Sequence, residues 1–125
     1  MSQTTVVRGH DPVVLAADSL TGNNVVNPQK EDLGKIEHLM MDLSRRRIAY
    51  AVLSFVGFLG LGDKLFAIPW GALALDTVEK RFVLNIDKEV LKRAPGFDKD
   101  RWPNMADRAW RSQVYTYYGA KPYWD

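Results

Sequence analysis

The sequence predicts a mainly β fold, in which a small antiparallel barrel is followed by a short helix and a longer C-terminal helix. Three observations support this prediction. Short apolar runs with period-two alternation fill residues 13–86, closely spaced turn dipeptides separate these runs, and a helical pattern replaces the alternation after Asp87. Five or six short antiparallel strands favour a barrel, because closing a sheet removes its exposed edges.

Turn dipeptides place the first strands. Thr-Gly, Asn-Asn and Asn-Pro pairs interrupt residues 13–34, and such pairs mark turns. We therefore expect strands at residues 13–16 and 24–27.

A hairpin is predicted next. Residues 34–43 show no helical stripe, and the β-branched run IAYAVLSFVGF follows a tight turn at Leu43–Arg46. On the second strand of the hairpin, alternation places Ile48, Tyr50 and Val52 on one face. The opposite face would carry Ala49, Ala51, Leu53 and Phe55.

Two more β elements are predicted after a glycine-rich stretch. KLFAIPW is typical of a short strand, and Pro69 should lie at a strand end or a sheet edge because proline cannot donate a ladder hydrogen bond. A second hairpin turns at Thr77–Lys80. Period-two spacing then places Phe82, Leu84 and Ile86 in the barrel interior.

Two helices complete the prediction. Asp87 should cap a short helix that ends before Pro95, and residues 97–103 should form a loop. Proline near the start and glycine past the end bound a longer helix between Pro103 and Gly119. Its apolar stripe would consist of Ala106, Trp110, Val114, Tyr117 and Tyr118.

Composition excludes several classes of protein. The formal net charge is +2, from 17 basic and 15 acidic residues, which is less basic than a dedicated nucleic-acid binder. The absence of cysteine excludes disulfides, thiolate catalysis and cysteine-ligated metals. No apolar run approaches the roughly 20 residues that span a bilayer, and the N-terminus lacks the pattern of a signal peptide. We expect a soluble, cytoplasmic protein.

The stretch GFLGLGDKLFAIPW, residues 57–70, raises the question of phosphate binding. Gly57 and Gly62 have the spacing of a phosphate-binding loop, but Asp63 stands where the lysine belongs and Leu65 replaces the hydroxyl residue. A strand also follows, where a helix N-terminus would be required. We interpret the stretch as a structural corner that binds no phosphate.

The remaining polar residues give weak signals. Arg45, Arg46 and Arg47 form the only basic run, which is a candidate anion contact or a solvated hairpin tip. His10 and His38 are isolated, and strand alternation places Glu37 and His38 on opposite faces, so we predict no metal site.

No catalytic constellation is found either. The four serines have neither a nucleophile elbow nor a suitably placed base, and no pair of carboxylates suggests acid–base chemistry. We therefore expect no enzymatic activity and no cofactor.

Half of the 14 aromatic residues lie near the C-terminus, and one helical stripe cannot bury them all. Aromatic side chains with polar tips are favoured at interfaces. Two arrangements remain open: the segment packs on its own barrel, or it forms part of a homodimer contact, which we favour. The residues concerned are Trp102, Trp110, Tyr115, Tyr117, Tyr118, Tyr123 and Trp124.

Residues 33–70, together with VLNIDKEVLKRAPGFDKDRWP and the closing YYGAKPYW, resemble the PRC-barrel family, named after the cytoplasmic barrel of the photosynthetic reaction centre H subunit. The likeness is greatest to its stand-alone bacterial versions. It implies a closed or partly open antiparallel six-stranded barrel. The residues that carry the family signature in the turn and strand are Gly57, Gly60, Gly62, Asp63, Lys64, Pro69 and Trp70.

The resemblance also implies a division of the chain. We expect a flexible N-terminal arm at residues 1–12, a PRC-barrel-like domain at 13–97 and a helical extension with an aromatic tail at 98–125. Arg46 stands where family hairpins often carry glycine, so a positive φ there would cost on the order of 1 kcal/mol.

Function is predicted as docking. The resemblance implies a non-catalytic protein-interaction or scaffolding module, which we expect to self-associate; its protein partner cannot be named. The alternative is an RNA- or ribosome-associated maturation-type factor that uses the basic hairpin tip. An enzyme or a ligand-binding barrel is a third, less favoured reading.

Overall fold

The computed structural model describes residues 14–55 and 64–124. Its strands are β1 (Asn24–Val26), β2 (Asp32–Asp42), β3 (Arg47–Phe55), β4 (Lys64–Pro69), β5 (Leu73–Asp76), β6 (Arg81–Leu84) and β7 (Phe97–Asp98). The α-helices are α1 (Lys88–Lys92) and α2 (Arg108–Tyr118), and short 3₁₀ helices lie at Ala17–Ser19 and Trp70–Ala72. The prediction of a mainly β fold followed by two helices is confirmed.

The sheet differs from the predicted barrel in the number of strands and in the direction of one pairing. Within the described ranges it has seven strands in the order β5-β6-β1-β2-β3-β4-β7 and is not closed, which the partly open form of the prediction allows. The seventh strand is β7, which lies in the predicted loop at 97–103 and pairs with the start of β4. Strand β1 runs parallel to β6, although every other pairing is antiparallel. The prediction of six antiparallel strands is therefore wrong in number and in one pairing.

The N-terminal end of the described chain also departs from prediction. Residues 14–16 are irregular and lead into the 3₁₀ helix, so no strand forms there. The hydroxyl of Ser19 donates to Ala16 O at 2.6 Å, and that of Thr21 to Asp18 O at 3.1 Å. Such local side-chain bonds favour turns over strands. The next predicted strand is confirmed as β1.

The hairpin of β2 and β3 is confirmed, with its turn held by Asp42. The Asp42 carboxylate accepts hydrogen bonds from the backbone N–H groups of Ser44 at 3.1 Å and Arg45 at 3.2 Å. Arg46 has a φ of 55°, the positive value that the turn was suspected to require. The strain at this position is therefore present.

Two bulges change the predicted facing of this hairpin. Pairing passes from Met40↔Tyr50 to Met41↔Ile48, which leaves Ala49 as an extra residue on β3. Ala49 then packs with Tyr50, whereas Ala51, Leu53 and Phe55 pack on the other face. The predicted alternation holds from Tyr50 onwards and is wrong at Ala49.

The two faces of the sheet form two cores. The first core contains apolar side chains from β1 to β6 and from α1, including Phe82 and Leu84, each 2% exposed. Ile86 packs against it, so the predicted interior positions on β6 and just beyond it are confirmed. The second core lies between the opposite face and α2, and it contains Tyr50, Val114 and Tyr115.

Side-chain caps set the helix limits. Asp87 accepts from Glu89 N at 3.0 Å and begins α1, as predicted. The longer helix begins at Arg108 rather than near Pro103, because Asp107 accepts from Trp110 N at 3.0 Å and forms the cap. Ala106 consequently precedes the helix and is exposed. Gly119 ends the helix with a φ of 65°.

Candidate functional site at the hairpin end

The described residues that follow α2 return to the β2–β3 turn. We call residues 120–124 the C-terminal segment. Gly119 adopts the left-handed conformation, and Ala120 N then donates to Tyr115 O at 3.0 Å. This reversal brings Tyr123 and Trp124 to the end of the hairpin, so residues far apart in sequence form one site.

Hydrogen bonds fix the C-terminal segment to the turn. The hydroxyl of Tyr123 donates to Asp42 Oδ2 at 2.6 Å. Arg45 donates from Nη2 to Trp124 O at 3.3 Å, and its Nη1 lies 3.9 Å from Asp42 Oδ2. Each of these three contacts involves a charged group, and hydrogen bonds to charged groups are stronger than those between neutral groups.

Arginine side chains also lie over the aromatic rings of the segment. The Cζ of Arg47 is 4.5 Å from the centroid of Tyr123, and the Cζ of Arg111 is 4.6 Å from that of Trp124. Tyr115 meets Trp124 edge-on, with centroids 4.6 Å apart. These distances fall within the range of attractive cation–π and edge-to-face contacts.

The contacts shift the titration of two groups. Hydrogen bonds from Tyr123 and then Ser44 lower the pKa of Asp42 from 3.8 to about 2. Burial, followed by the bond to Asp42, raises the pKa of Tyr123 to about 12. Asp42 is therefore an ionised acceptor and Tyr123 a neutral donor at neutral pH.

Beneath the segment, tyrosine hydroxyls differ in their hydrogen bonding. Tyr115 donates to Ala49 O at 3.1 Å, and burial raises its pKa to about 12. Tyr50 is 2% exposed, yet its hydroxyl has no hydrogen-bond partner among the described residues. The same holds for the buried Nε of Arg111. The region around the second core therefore contains buried polar atoms that the described residues leave without a hydrogen bond.

A cavity of about 450 Å³, which we call the hairpin cavity, lies between the hairpin end and the region around the start of α2. Its chemistry combines cationic, hydroxyl and thioether groups. The residues concerned are Arg45, Arg111, Tyr50, Met40, Met41 and Met105.

The family model described as the PRC-barrel domain matches residues 12–91, more than half of the chain. The chain belongs to the PRC-barrel family. The resemblance seen in the sequence is thereby confirmed. No curated protein matches the sequence at the threshold applied.

Among solved structures, this PRC-barrel chain is similar to a crystal structure of RimM from Pseudomonas aeruginosa, described as a 16S ribosomal RNA processing protein. The two share 18% identity at a TM-score of 0.42, and the match covers 66% of this chain. It spans 50% of the RimM chain. Within the described ranges, no helix combines the length and apolar character needed to cross a bilayer.

The signature residues of the PRC barrel are described in part. Gly57, Gly60, Gly62 and Asp63 lie outside the described residues. Lys64 begins β4 and its Nζ lies 3.8 Å from Asp98 Oδ1. Pro69 ends the same strand, which confirms its predicted place, and Trp70 meets Phe82 edge-on with centroids 5.7 Å apart.

The predicted aromatic set packs within the chain. Trp110 meets the ring of Tyr50 at 5.2 Å between centroids, and Tyr117 donates to Val90 O. Trp102 contacts His38 and Phe97, although it remains 40% exposed. A role of the set in a dimer contact stays a prediction. Tyr118, the last member, lies between the cores, and burial raises its pKa.

The arginine run divides between two roles. Arg45 and Arg47 contact the C-terminal segment, while Arg46 has no polar partner among the described residues and bears the backbone strain.

The predicted facing of Glu37 and His38 is wrong. A bulge at Glu37 lets its carboxylate accept from Ser54 Oγ at 2.7 Å, while His38 pairs with Val52 on the same face. His10 lies outside the described residues. Among those described, no three His, Asp or Glu side chains are grouped as metal ligands.

Sequence reasoning did not identify several residues of this site, which are Asp42, Tyr50, Arg111 and the methionines at 40, 41 and 105. No local spacing could reveal them, since the contact between Asp42 and Tyr123 joins residues 81 positions apart. One feature of the sequence could have indicated part of the site. Arg111 lies next to Trp110 of the predicted aromatic stripe, and arginine commonly packs over aromatic rings.

Proposed function

We propose that this chain is a non-catalytic protein-interaction module that self-associates and docks to other macromolecules. Membership in the PRC-barrel family supports a barrel module. The proposed self-association depends on one observation: within the described ranges, β5 pairs with another strand on one side only. The site at the hairpin end supports the absence of catalysis, since its carboxylate Asp42 already accepts bonds from Ser44, Arg45 and Tyr123.

Strand β5 lies at one end of the sheet that the described residues form. Its strand partner among the described residues is β6, on one side. Beside it lies an apolar groove of about 630 Å³. The groove is lined by Leu15, Leu20, Ile48, Trp70, Leu73 and Phe82. An unpaired edge next to an apolar groove is a template for strand addition.

A second copy of the chain is the partner that this edge fits. Two β5 strands can pair antiparallel about a two-fold axis, so that each copy offers the same surface. This pairing would cover the grooves of both copies and supply the missing hydrogen bonds. Self-association therefore needs no other component.

The test is the mass in solution of the full chain and of Ala74→Lys, measured by light scattering. Ala74 lies on β5 and is only partly buried, so lysine places a charge on the edge without removing a core side chain. We expect a dimer for the wild type and a monomer for the variant. Ser112→Lys adds the same charge on the exposed face of α2 and should stay dimeric. A wild type that is monomeric at high micromolar concentration contradicts the proposal.

The RNA- or ribosome-associated alternative has less support. Two of the three arginines on which it rests, Arg45 and Arg47, contact the C-terminal segment of the same chain. RNA affinity that falls steeply with salt would favour this alternative. We retain a cytoplasmic location as part of the proposal.

A further inference from the structure

Among the residues that the structure describes, those lining the hairpin cavity carry more positive than negative charge. Arg45 and Arg111 line it, and Asp42 is the carboxylate among its lining residues. Asp42 is already occupied: it accepts from Ser44 Oγ at 2.7 Å and from Tyr123 at 2.6 Å, besides two backbone N–H groups. The cavity therefore favours an anionic guest.

Two buried polar groups at this cavity have no hydrogen-bond partner in the described part of the chain. They are the hydroxyl of Tyr50 and the Nε of Arg111, and both residues line the cavity. The charge of Arg111 acts against the rise in the pKa of Tyr50 that burial causes. Buried donors without acceptors are rare in native proteins, and each calls for an explanation.

The remaining lining is apolar and adaptable. Met40, Met41 and Met105 line the cavity, and methionine side chains fit apolar bodies of varied shape. The volume of about 450 Å³ lies within the range of small-molecule sites. The cavity thus joins a cationic, hydrogen-bonding part to an apolar part.

We propose that the hairpin cavity binds an organic carboxylate with a short apolar body. The carboxylate accepts from Arg45, Arg111 and Tyr50, and the apolar body packs on the three methionines. The carboxylate belongs either to a free organic acid or to the C-terminal residue of a peptide. This site is distinct from the β5 edge, since the two cavities share no lining residue, so either proposal can fail without the other.

The first test is a titration of the full chain with hexanoate, followed by amide NMR. We expect saturable shifts at residues 40–50 and 105–111. Acetate lacks the apolar body and hexanamide lacks the charge, so each should bind at least about tenfold more weakly, which corresponds to roughly 1.4 kcal/mol. Equal binding of hexanamide, or no saturable shift with hexanoate, would overturn the proposal.

The second test separates binding from stability. Tyr50→Phe keeps the ring but removes the unpaired hydroxyl, so we expect a higher melting temperature together with hexanoate affinity reduced about tenfold. Tyr118→Phe is the matched control, because its hydroxyl is also buried and unpaired but lies at another cavity. This control should keep full affinity. Unchanged affinity in Tyr50→Phe overturns the assignment of the hydroxyl and with it the proposed site.

Two further measurements complete the design. Arg45→Gln, at a residue whose side chain is 45% exposed, should weaken hexanoate binding without preventing folding; full affinity in this variant would overturn the proposal. N-acetyl-leucine presents the same carboxylate on a peptide backbone. Tighter binding of this compound than of hexanoate assigns the site to a peptide C-terminus, and the reverse order assigns it to a free acid; both results support the carboxylate site.

Discussion

The two faces of the sheet are stabilised by different chemistry. The first core consists of aliphatic side chains with a few phenylalanines, and its largest members are fully buried without any polar tip. The second core combines small and aliphatic side chains with two buried tyrosines, and partly buried tryptophan, tyrosine and methionine side chains surround it, with arginines lying over two of the rings. The first core therefore depends mainly on burial, whereas the second depends on aromatic contacts and hydrogen bonds as well.

The difference bears on stability and on ligand binding in different ways. An apolar core needs only close packing, since its side chains have no donors or acceptors that must be paired. In the second core the hydroxyl of Tyr115 is hydrogen-bonded, whereas that of Tyr50 has no partner among the described residues. The same is true of the hydroxyl of Tyr118, which lies between the two cores. Unsatisfied polar atoms reduce stability. The face that contains them also borders the hairpin cavity, where a ligand could use them.

The largest expected effect tests the first core. Leu84→Ala should lower the free energy of unfolding by roughly 2–5 kcal/mol, because it leaves a cavity at a side chain that is 2% exposed. Urea denaturation measures the change. Leu43→Ala, at a residue 82% exposed, should stay within about 0.5 kcal/mol of the wild type. A variant at Leu84 as stable as this control would show that the first core does not hold the fold.

Two Tyr→Phe substitutions at the second core should differ in their effect on the free energy of unfolding. Tyr115→Phe removes the bond to Ala49 O and should lower the free energy of unfolding by about 1–2 kcal/mol. Tyr118→Phe removes an unpaired buried hydroxyl and should leave stability equal or raise it by up to about 1 kcal/mol. Both are measured by urea denaturation. Equal losses in the two variants would mean that hydrogen bonding does not distinguish these tyrosines.

The two cores also differ in how far the sequence predicts them. Phe82, Leu84 and Ile86 were placed correctly because period-two spacing is a local signal that burial on one face enforces. The bulge at Ala49 gives no such signal, since it arises from the pairing of two strands. The parallel pairing of β1 with β6 also depends on tertiary structure. These strands have only three and four residues, which is too short a pattern to indicate their partners.

The site at the hairpin end was predictable only as separate parts. The arginine run and the aromatic tail were both recognised, but their contact was not. It depends on the reversal at Gly119, which directs Tyr123 towards Asp42. A sequence pattern reports neighbours along the chain, whereas this contact is fixed by the packing of α2 on the sheet.

A smaller effect is expected at the turn that supports the site. Arg46→Gly should raise the free energy of unfolding by about 0.5–1 kcal/mol, because glycine adopts a positive φ without the steric cost that arginine pays. Arg46→Ala removes the same charge but keeps the strain, so thermal unfolding should show no gain for it. A gain of equal size in both variants would assign the effect to charge instead of backbone strain.

The smallest effect is confined to acid and tests the bond between Tyr123 and Asp42. The pKa of Asp42 is lowered from 3.8 to about 2 in the folded chain, so its contribution to stability is present above pH 3.8 and is lost as the pH falls through about 2. Tyr123→Phe removes the largest cause of this shift. We expect its stability, measured by urea denaturation across that window, to fall less steeply than that of the wild type. Tyr117→Phe loses a hydrogen bond to the backbone carbonyl of Val90, which does not titrate. Its free energy of unfolding should therefore be lower than that of the wild type but should change with pH at the same rate. If all three slopes coincide, the C-terminal segment does not engage Asp42 in solution.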